Sequence, residues 1–169
     1  MLNKEIIIVS DHFYPGFTGG AELTTYALTS QSPEGVKVSF IHASQLNHFH
    51  LALHRSKLWI FTNIQQVNIK LLPYVAKLLT YVIVEYDFKF CVFRSPDKHK
   101  NDVGKDCDCK ITELDEFIAK AKHIFFMSEK QRDCFIAHKK TVPQSSVLGS
   151  VFTQYDINEL EQIFERRDP

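Results

Sequence analysis

The sequence lacks an excess of charge of either sign. Its 20 Lys and Arg residues balance 20 Asp and Glu residues, so the formal net charge is zero. Nucleic-acid-binding domains usually carry a basic surface, and anionic membranes attract polybasic segments. The composition therefore predicts neither a nucleic-acid-binding protein nor a peripheral membrane protein. Because a net charge near zero weakens colloidal repulsion, we also consider a homo-oligomer.

Long apolar runs and the features of a secretory leader are also missing. No apolar run approaches the roughly 20 residues that span a bilayer. The segment from Met1 to Glu5 leads straight into a short apolar stretch, without the long apolar core and cleavage site of a signal peptide. These features predict a cytoplasmic protein without a transmembrane segment, whose four cysteines are thiols.

What the sequence does contain is an alternation of strand-like and helix-like segments. The hydrophobic share of 44% is ordinary for a globular domain. Residues 6–9 form a β-branched run of the kind found in strands buried on both faces. Further strands are predicted at 36–42, 58–62, 80–85, 123–127 and 146–151, and helices at 21–31, 46–56, 67–79, 112–122, 129–139 and 156–166. This order predicts an α/β fold, with a Rossmann-like, doubly wound, mostly parallel sheet and helices on both faces, as one domain over residues 1–169.

Local signals refine the ends of these segments. Thr112, Ser128 and Asp156 are predicted to cap the helices that follow them. The polar segment 94–110 predicts a long surface loop, a kind that is usually functional or disordered. Residues 89–93 fit either a short extra strand or an extended loop.

The loop after the first strand is the most informative segment. It contains Pro15, Gly19, Gly20 and Glu22. Ligands of open α/β sheets bind outside the carboxyl ends of the strands, and paired glycines at a helix start let backbone amides approach an anion. The loop has neither the Gly-x-Gly-x-x-Gly nor the Walker A pattern. A tight turn with close packing is the alternative explanation of the glycine pair.

This loop resembles the first loop of family 4 glycosyltransferases of the GT-B fold, in which a proline, a glycine pair and a glutamate join the first strand to the first helix. Residues 81–87, 121–128 and 146–152 resemble later segments of the same family in the same order. The family's mid-domain strand often ends in His-Asp, whereas this chain has Glu85 and Tyr86 before Asp87.

The resemblance implies the N-terminal, acceptor-side half of a retaining, sugar-nucleotide-dependent glycosyltransferase. Its ligands would be a nucleotide-sugar donor and a sugar, or a lipid- or protein-linked acceptor, and it would need no cofactor. A C-terminal domain with a Glu-x7-Glu motif and basic ligands for the donor phosphates is expected in the family and is absent from this chain. We therefore expect little turnover unless a partner chain or a C-terminal domain completes the site.

The predicted site residues follow from these positions. Glu85 and Asp87, at the end of a strand, are the predicted catalytic carboxylates. The predicted ligands of the substrate or the donor phosphate are His12, Tyr14, Gly19, Gly20 and Glu22. Two simpler roles remain open, since Glu22 also complements a helix dipole and His12 also fits a solvated loop.

A cysteine–histidine cluster points to a different chemistry. Cys91, His99, Cys107 and Cys109 offer four soft ligands for a structural Zn²⁺ within a loop-rich segment. The Cys-x-Cys spacing is uncommon for zinc, and Cys91 also fits a core thiol. The alternative function is a non-catalytic Rossmann-like module that binds a sugar, nucleotide or phosphate, or another protein, with or without this zinc loop.

Overall fold

The computed structural model describes residues 4–139 and 141–165. Its strands are β1 (Lys4–Ser10), β2 (Val36–His42), β3 (Leu58–Phe61), β4 (Thr80–Glu85), β5 (His123–Phe126) and β6 (Ser145–Val147). Its α-helices are α1 (Gly20–Ser30), α2 (His48–Leu53), α3 (Leu72–Leu78), α4 (Pro96–Val103), α5 (Thr112–Lys120), α6 (Glu129–His138) and α7 (Gln154–Glu165). Short 3₁₀ turns at Ala43–Gln45 and Ile69–Leu71 precede α2 and α3.

All six strands form one parallel sheet in the order β2-β1-β3-β4-β5-β6. The predicted α/β class and doubly wound sheet are confirmed. The chain first adds β2 on one side of β1. It then crosses to the other side of β1 and adds β3, β4, β5 and β6 in turn. Because crossovers between parallel strands are right-handed, this order puts α1 on one face and α2 to α6 on the other. Within the described residues, no helix has the length and apolarity needed to cross a membrane.

The main core lies between the sheet and the face that carries α3, α5 and α6. Aromatic side chains dominate it: the ring of Phe117 meets that of Phe61 edge-on at 5.2 Å and stacks on that of Tyr81 at 5.0 Å. The Tyr81 hydroxyl donates to the Phe117 carbonyl, so its polar atom is satisfied within the core. This core fixes the sheet and therefore the positions of the strand ends.

Two of the predicted helix caps are wrong. Helix α5 begins at Thr112, so its N-cap is Ile111, whose side chain cannot accept a hydrogen bond. Helix α7 begins before Asp156: the Thr153 hydroxyl accepts from the Asp156 amide at 3.1 Å, and the Asp156 carboxylate accepts from the Thr153 amide at 2.9 Å. Thr153 is the cap because this reciprocal pairing gives two backbone amides a hydrogen-bond acceptor. A cap at Asp156 would give an acceptor to one amide.

The predicted surface loop over residues 94–110 is also corrected, because it contains α4. Ser95 caps this helix by accepting from the Lys98 amide at 3.2 Å, Pro96 occupies its first turn, and Gly104 ends it with a φ of +77°. Residues 89–93 form successive turns and not a strand. In these turns the Cys91 amide donates to the Phe88 carbonyl at 2.9 Å.

Ser128 is confirmed as the cap of α6, and its removal should destabilise the domain modestly. Its hydroxyl accepts from the Gln131 amide at 3.1 Å. We expect Ser128→Ala to lower the free energy of unfolding by about 1 kcal/mol, measured by urea denaturation. Ser44→Ala, at an exposed position, is the control. An unchanged urea midpoint for Ser128→Ala would show that the cap contributes nothing.

Candidate functional site

A cleft of about 380 Å³ opens at the carboxyl edge of the sheet. Its walls come from the start of α1 and from the segments that follow β3, β4, β5 and β6. The lining residues are Gly20, Ala21, Thr24, Asn63, Tyr86, Asp87, Met127, Ser150 and Phe152. The structure thus brings the glycine loop and four strand ends together where open α/β sheets bind their ligands.

The two glycines of the loop have different surroundings. Gly19 is the N-cap of α1, and a Cβ there would meet the Glu22 carboxylate and the Phe17 ring. Gly20 is exposed, lines the cleft, and has no atom within 4 Å of the place a Cβ would take. Of these two glycines, Gly20 is therefore the one that presents open backbone to a ligand in the cleft.

Glu22 is buried beside the glycine pair. Its carboxylate turns back toward Gly19, at the positive end of the helix dipole. A carboxylate at the helix start competes with any other anion for the same field. The arrangement supports the simpler role of Glu22 as a complement of the helix dipole.

His12 and Tyr14 lie in the same loop, but neither lines the cleft. The ring of His12 stacks on Phe17 at 5.0 Å, and the ring of Tyr14 contacts Tyr26 at 4.8 Å. Tyr14, Phe17 and Tyr26 are each 40% exposed or more. These rings form an aromatic surface next to the cleft, around the start of α1.

Glu85 ends β4 but points away from solvent. Its side chain and that of Lys89 are each 1% exposed, with Nζ of Lys89 3.4 Å from a carboxylate oxygen of Glu85. The Lys89 backbone amide donates to the other oxygen at 3.0 Å. Burial raises the pKa of Glu85 to about 7, and the Lys89 charge opposes that rise. In this position Glu85 holds the following turn and is out of reach of a substrate.

Asp87 is the predicted carboxylate that the structure does place at the cleft. Arg94 binds one of its oxygens through Nε at 2.9 Å and Nη2 at 2.8 Å. Arg94 has a φ of +57°, a left-handed conformation that is unusual for a residue with a side chain. The Gln131 side chain donates to the Asp87 carbonyl at 3.4 Å, so α6 also helps to position this residue.

Several residues around the cleft were not predicted. Asp11 is buried, and its carboxylate accepts from the amides of Gln65 and Gln66 at 2.8 and 2.9 Å. The Asp11 amide donates to the Asn63 carbonyl at 2.7 Å, which fixes the loop that carries the Asn63 side chain. The available signal was position: Asn63 directly follows a predicted strand, and Asp11 lies two residues after another.

The four predicted metal ligands do meet in space. One ligand atom from each of Cys91, His99, Cys107 and Cys109 lies within 4.8 Å of all the others. Nδ1 of His99 is 3.8 Å from Sγ of Cys91 and 3.5 Å from Sγ of Cys109. Zinc–ligand bonds of about 2.3 Å to sulfur and 2.0 Å to nitrogen, at tetrahedral angles, put sulfur and nitrogen about 3.5 Å apart. The cluster therefore can hold a metal ion.

The packing of α4 is unusual without a metal. Of its eight residues only Pro96 and His99 are buried, and the rest are polar or exposed. A helix of a globular domain is normally held by an apolar stripe. Here His99 turns toward the thiols, and Sγ of Cys91 donates to the Ser95 carbonyl at 3.4 Å at the start of the helix.

Without a metal, the surroundings of the cluster disfavour the charged thiolate form of Cys107. Burial and the neighbouring thiols Cys91 and Cys109 raise the pKa of Cys107 to about 12. A bound divalent cation reverses this effect, because a coordinating thiol is deprotonated outright. If Nδ1 of His99 bound a metal, the ring proton would be on Nε2. This nitrogen is buried and has no hydrogen-bond partner among the described residues.

No protein-family model and no curated protein matches this chain. The case for a function therefore depends on the geometry of the cleft and of the cysteine–histidine cluster.

Proposed function

We propose that this chain is the acceptor-side half of a sugar-nucleotide-dependent glycosyl-transfer site. One observation carries the proposal: the cleft at the carboxyl edge of the parallel sheet begins at Gly20, the exposed member of the glycine pair. The resemblance of the loop to family 4 glycosyltransferases agrees with that position. A ligand in the cleft would meet the start of α1 on one side and Asp87 on the other.

The chemistry of the cleft favours a hydroxyl-rich ligand. Thr24 and Ser150 offer hydroxyls, Asn63 offers an amide, and Met127 and Phe152 offer apolar contact. None of the described lining residues is basic. Such a surface suits the hydroxyl groups and apolar ring face of a sugar and lacks the charge that stabilises a departing diphosphate.

The second half of the reaction then needs a second protein surface. Glycosyl transfer requires two aligned substrates and stabilisation of the leaving phosphate. A C-terminal domain or a partner chain with basic side chains would supply the donor phosphate ligands. Asp87 is the carboxylate placed to accept a hydrogen bond from an acceptor hydroxyl, and Arg94 orients it.

Filling the cleft should abolish sugar binding without unfolding the domain. Gly20→Leu places a side chain in open space, so we expect the loss of the chemical-shift changes that monosaccharides at millimolar concentration cause in ¹H–¹⁵N spectra. Thr18→Leu adds the same side chain to the same loop outside the cleft and is the control. Equal shifts in both variants would place the sugar elsewhere.

The isolated chain should turn over little sugar nucleotide. A coupled assay for released nucleoside diphosphate, with a panel of donors and simple sugar acceptors, measures this directly. Robust transfer by the chain alone would contradict the half-site. Binding of sugars without turnover even after a donor-binding partner is supplied would favour the alternative, a non-catalytic sugar-binding module.

We further propose that the metal at the cysteine–histidine cluster is Zn²⁺ and that its role is structural. Three thiolates and one imidazole form a closed donor set of the kind that structural zinc uses, with no open position for a substrate. The zinc would tie the turn at Cys91, helix α4 and the Cys107–Cys109 segment together. Thiolate ligands persist in a reducing compartment, which fits the cytoplasm as the proposed location.

A further inference from the structure

Among the residues that the structure describes, a single helix covers one face of the sheet. On β1, β3 and β4, every second side chain points into the main core, and the side chains between them point to this face, where α1 packs. The strand order explains this, because only the crossover from β1 to β2 runs in the direction that places a helix there. Helices normally cover both faces of a parallel sheet.

The uncovered part of this face is an apolar groove of about 250 Å³ beside α1. Ile8, Ile60, Val82, Val84 and Phe125 form its floor, and Leu28 of α1 forms one wall. Its floor crosses β1, β3, β4 and β5. In doubly wound domains, apolar sheet surface of this kind beside one helix is covered by a second helix.

Helix α7 carries an apolar stripe that matches this groove. Ile157, Leu160, Ile163 and Phe164 fall within about 120° of one another on a helical projection. Their side chains are 39%, 56%, 45% and 76% exposed. The helix has 12 residues and is therefore about 18 Å long, comparable to the strands of the sheet.

Helix α7 does not fill the groove of its own chain. The Leu148 amide donates to the Phe126 carbonyl at 2.8 Å, which continues β6, and Phe152 then lines the cleft at the carboxyl edge. The Thr153–Asp156 capping pair fixes the start of the helix at that edge. From there α7 extends with nearly every side chain exposed.

We infer that the occupant of the groove is α7 of a second copy of this chain, and that the exchange is reciprocal. A two-fold dimer pairs each helix with the partner's groove, so one mode of contact is used twice. Burying both stripes and both grooves removes roughly 1,200–1,600 Å² of surface from water, the size of a stable specific interface. The zero net charge of the chain presents little electrostatic barrier to this association.

Sedimentation velocity of the full chain tests the dimer. We expect the unmodified protein to sediment as a dimer that dissociates on dilution. Leu160→Glu, in the stripe, and Leu28→Glu, in the groove wall, should each weaken dimerisation by about a hundredfold or more, because each buries a carboxylate in an apolar contact. Gln162→Glu adds the same group to the polar face of α7 and should leave the dimer intact.

Circular dichroism shows whether each variant keeps its fold, which separates loss of contact from loss of structure. A monomeric unmodified protein would overturn the inference and would mean that another segment or another protein covers the groove. A dimer that survives both glutamate substitutions would overturn it as well. Neither result bears on the sugar cleft, since the groove lies on the face of the sheet and not at its edge.

Discussion

Removing the proposed zinc ion should destabilise the domain by about 4 kcal/mol, the linkage free energy of a site whose free zinc stands about a thousandfold above its Kd. We expect one zinc per chain in protein purified without added metal. Chelation should then lower the thermal midpoint, and Cys109→Ser should lower both the zinc content and the midpoint. The physical reason is that only Pro96 and His99 of α4 are buried, so a metal bound to His99 would take the place of an apolar core there.

Cys134→Ser is the matched control, because Cys134 lies on α6 outside the cluster. Its zinc content should equal that of the unmodified protein. Replacement of zinc by Co²⁺ gives a second measurement, the absorption bands of a tetrahedral site with sulfur and nitrogen ligands. Protein that contains no zinc, or that unfolds identically with and without chelator, would refute the structural zinc.

One short segment connects the cysteine–histidine cluster to the cleft at the carboxyl edge of the sheet. Cys91 lies in the turns that run from Asp87 to Ser95, where the Phe88 amide donates to the Arg94 carbonyl at 3.3 Å. Arg94 in turn holds the carboxylate of Asp87 at the cleft. A zinc ion bound at Cys91 would stabilise this segment, so its structural role would extend to Asp87, the residue that we propose contacts the acceptor.

The sheet was predictable because its signal is local. The strands at 36–42 and 80–85 were predicted with the observed bounds, since each is a run of β-branched and aromatic residues between clear breaks. Helix α4 was missed because it has no apolar periodicity and is defined by Ser95 and Gly104 at its ends. The many charged residues of segment 94–110 indicate a loop, and this indication hid the capping residues Ser95 and Gly104.

The candidate sites differ in the same way. The cysteine–histidine cluster was predictable because cysteine and histidine are uncommon and their chemistry is specific. Asn63, Thr24 and Ser150 were not predicted, because such residues occur throughout the sequence and acquire meaning only from proximity in space. The sequence places Glu85 and Asp87 together at a strand end, but Glu85 is the last residue of β4 and is buried, whereas Asp87 lies in the bend that follows and lines the cleft.

The buried carboxyl of Glu85 should make the stability of the domain fall as the pH rises. Burial raises its pKa from 4.5 to about 7, so between these values the folded state holds a proton that the unfolded state has released. The stabilisation is complete below pH 4.5 and is lost as the pH passes 7. The unmodified protein should therefore lose about 3 kcal/mol over this window relative to Glu85→Gln.

Urea denaturation at a series of pH values measures this difference, since the glutamine variant keeps an oxygen for the Lys89 amide but does not titrate. Glu34→Gln, at an exposed carboxylate, should follow the pH profile of the unmodified protein. Parallel profiles for the unmodified protein and Glu85→Gln would mean that the Lys89 ammonium keeps Glu85 ionised across the whole window. In that case Lys89→Met, which removes the ammonium, should restore the fall in stability with pH, because the carboxyl would then be buried without a counter-charge.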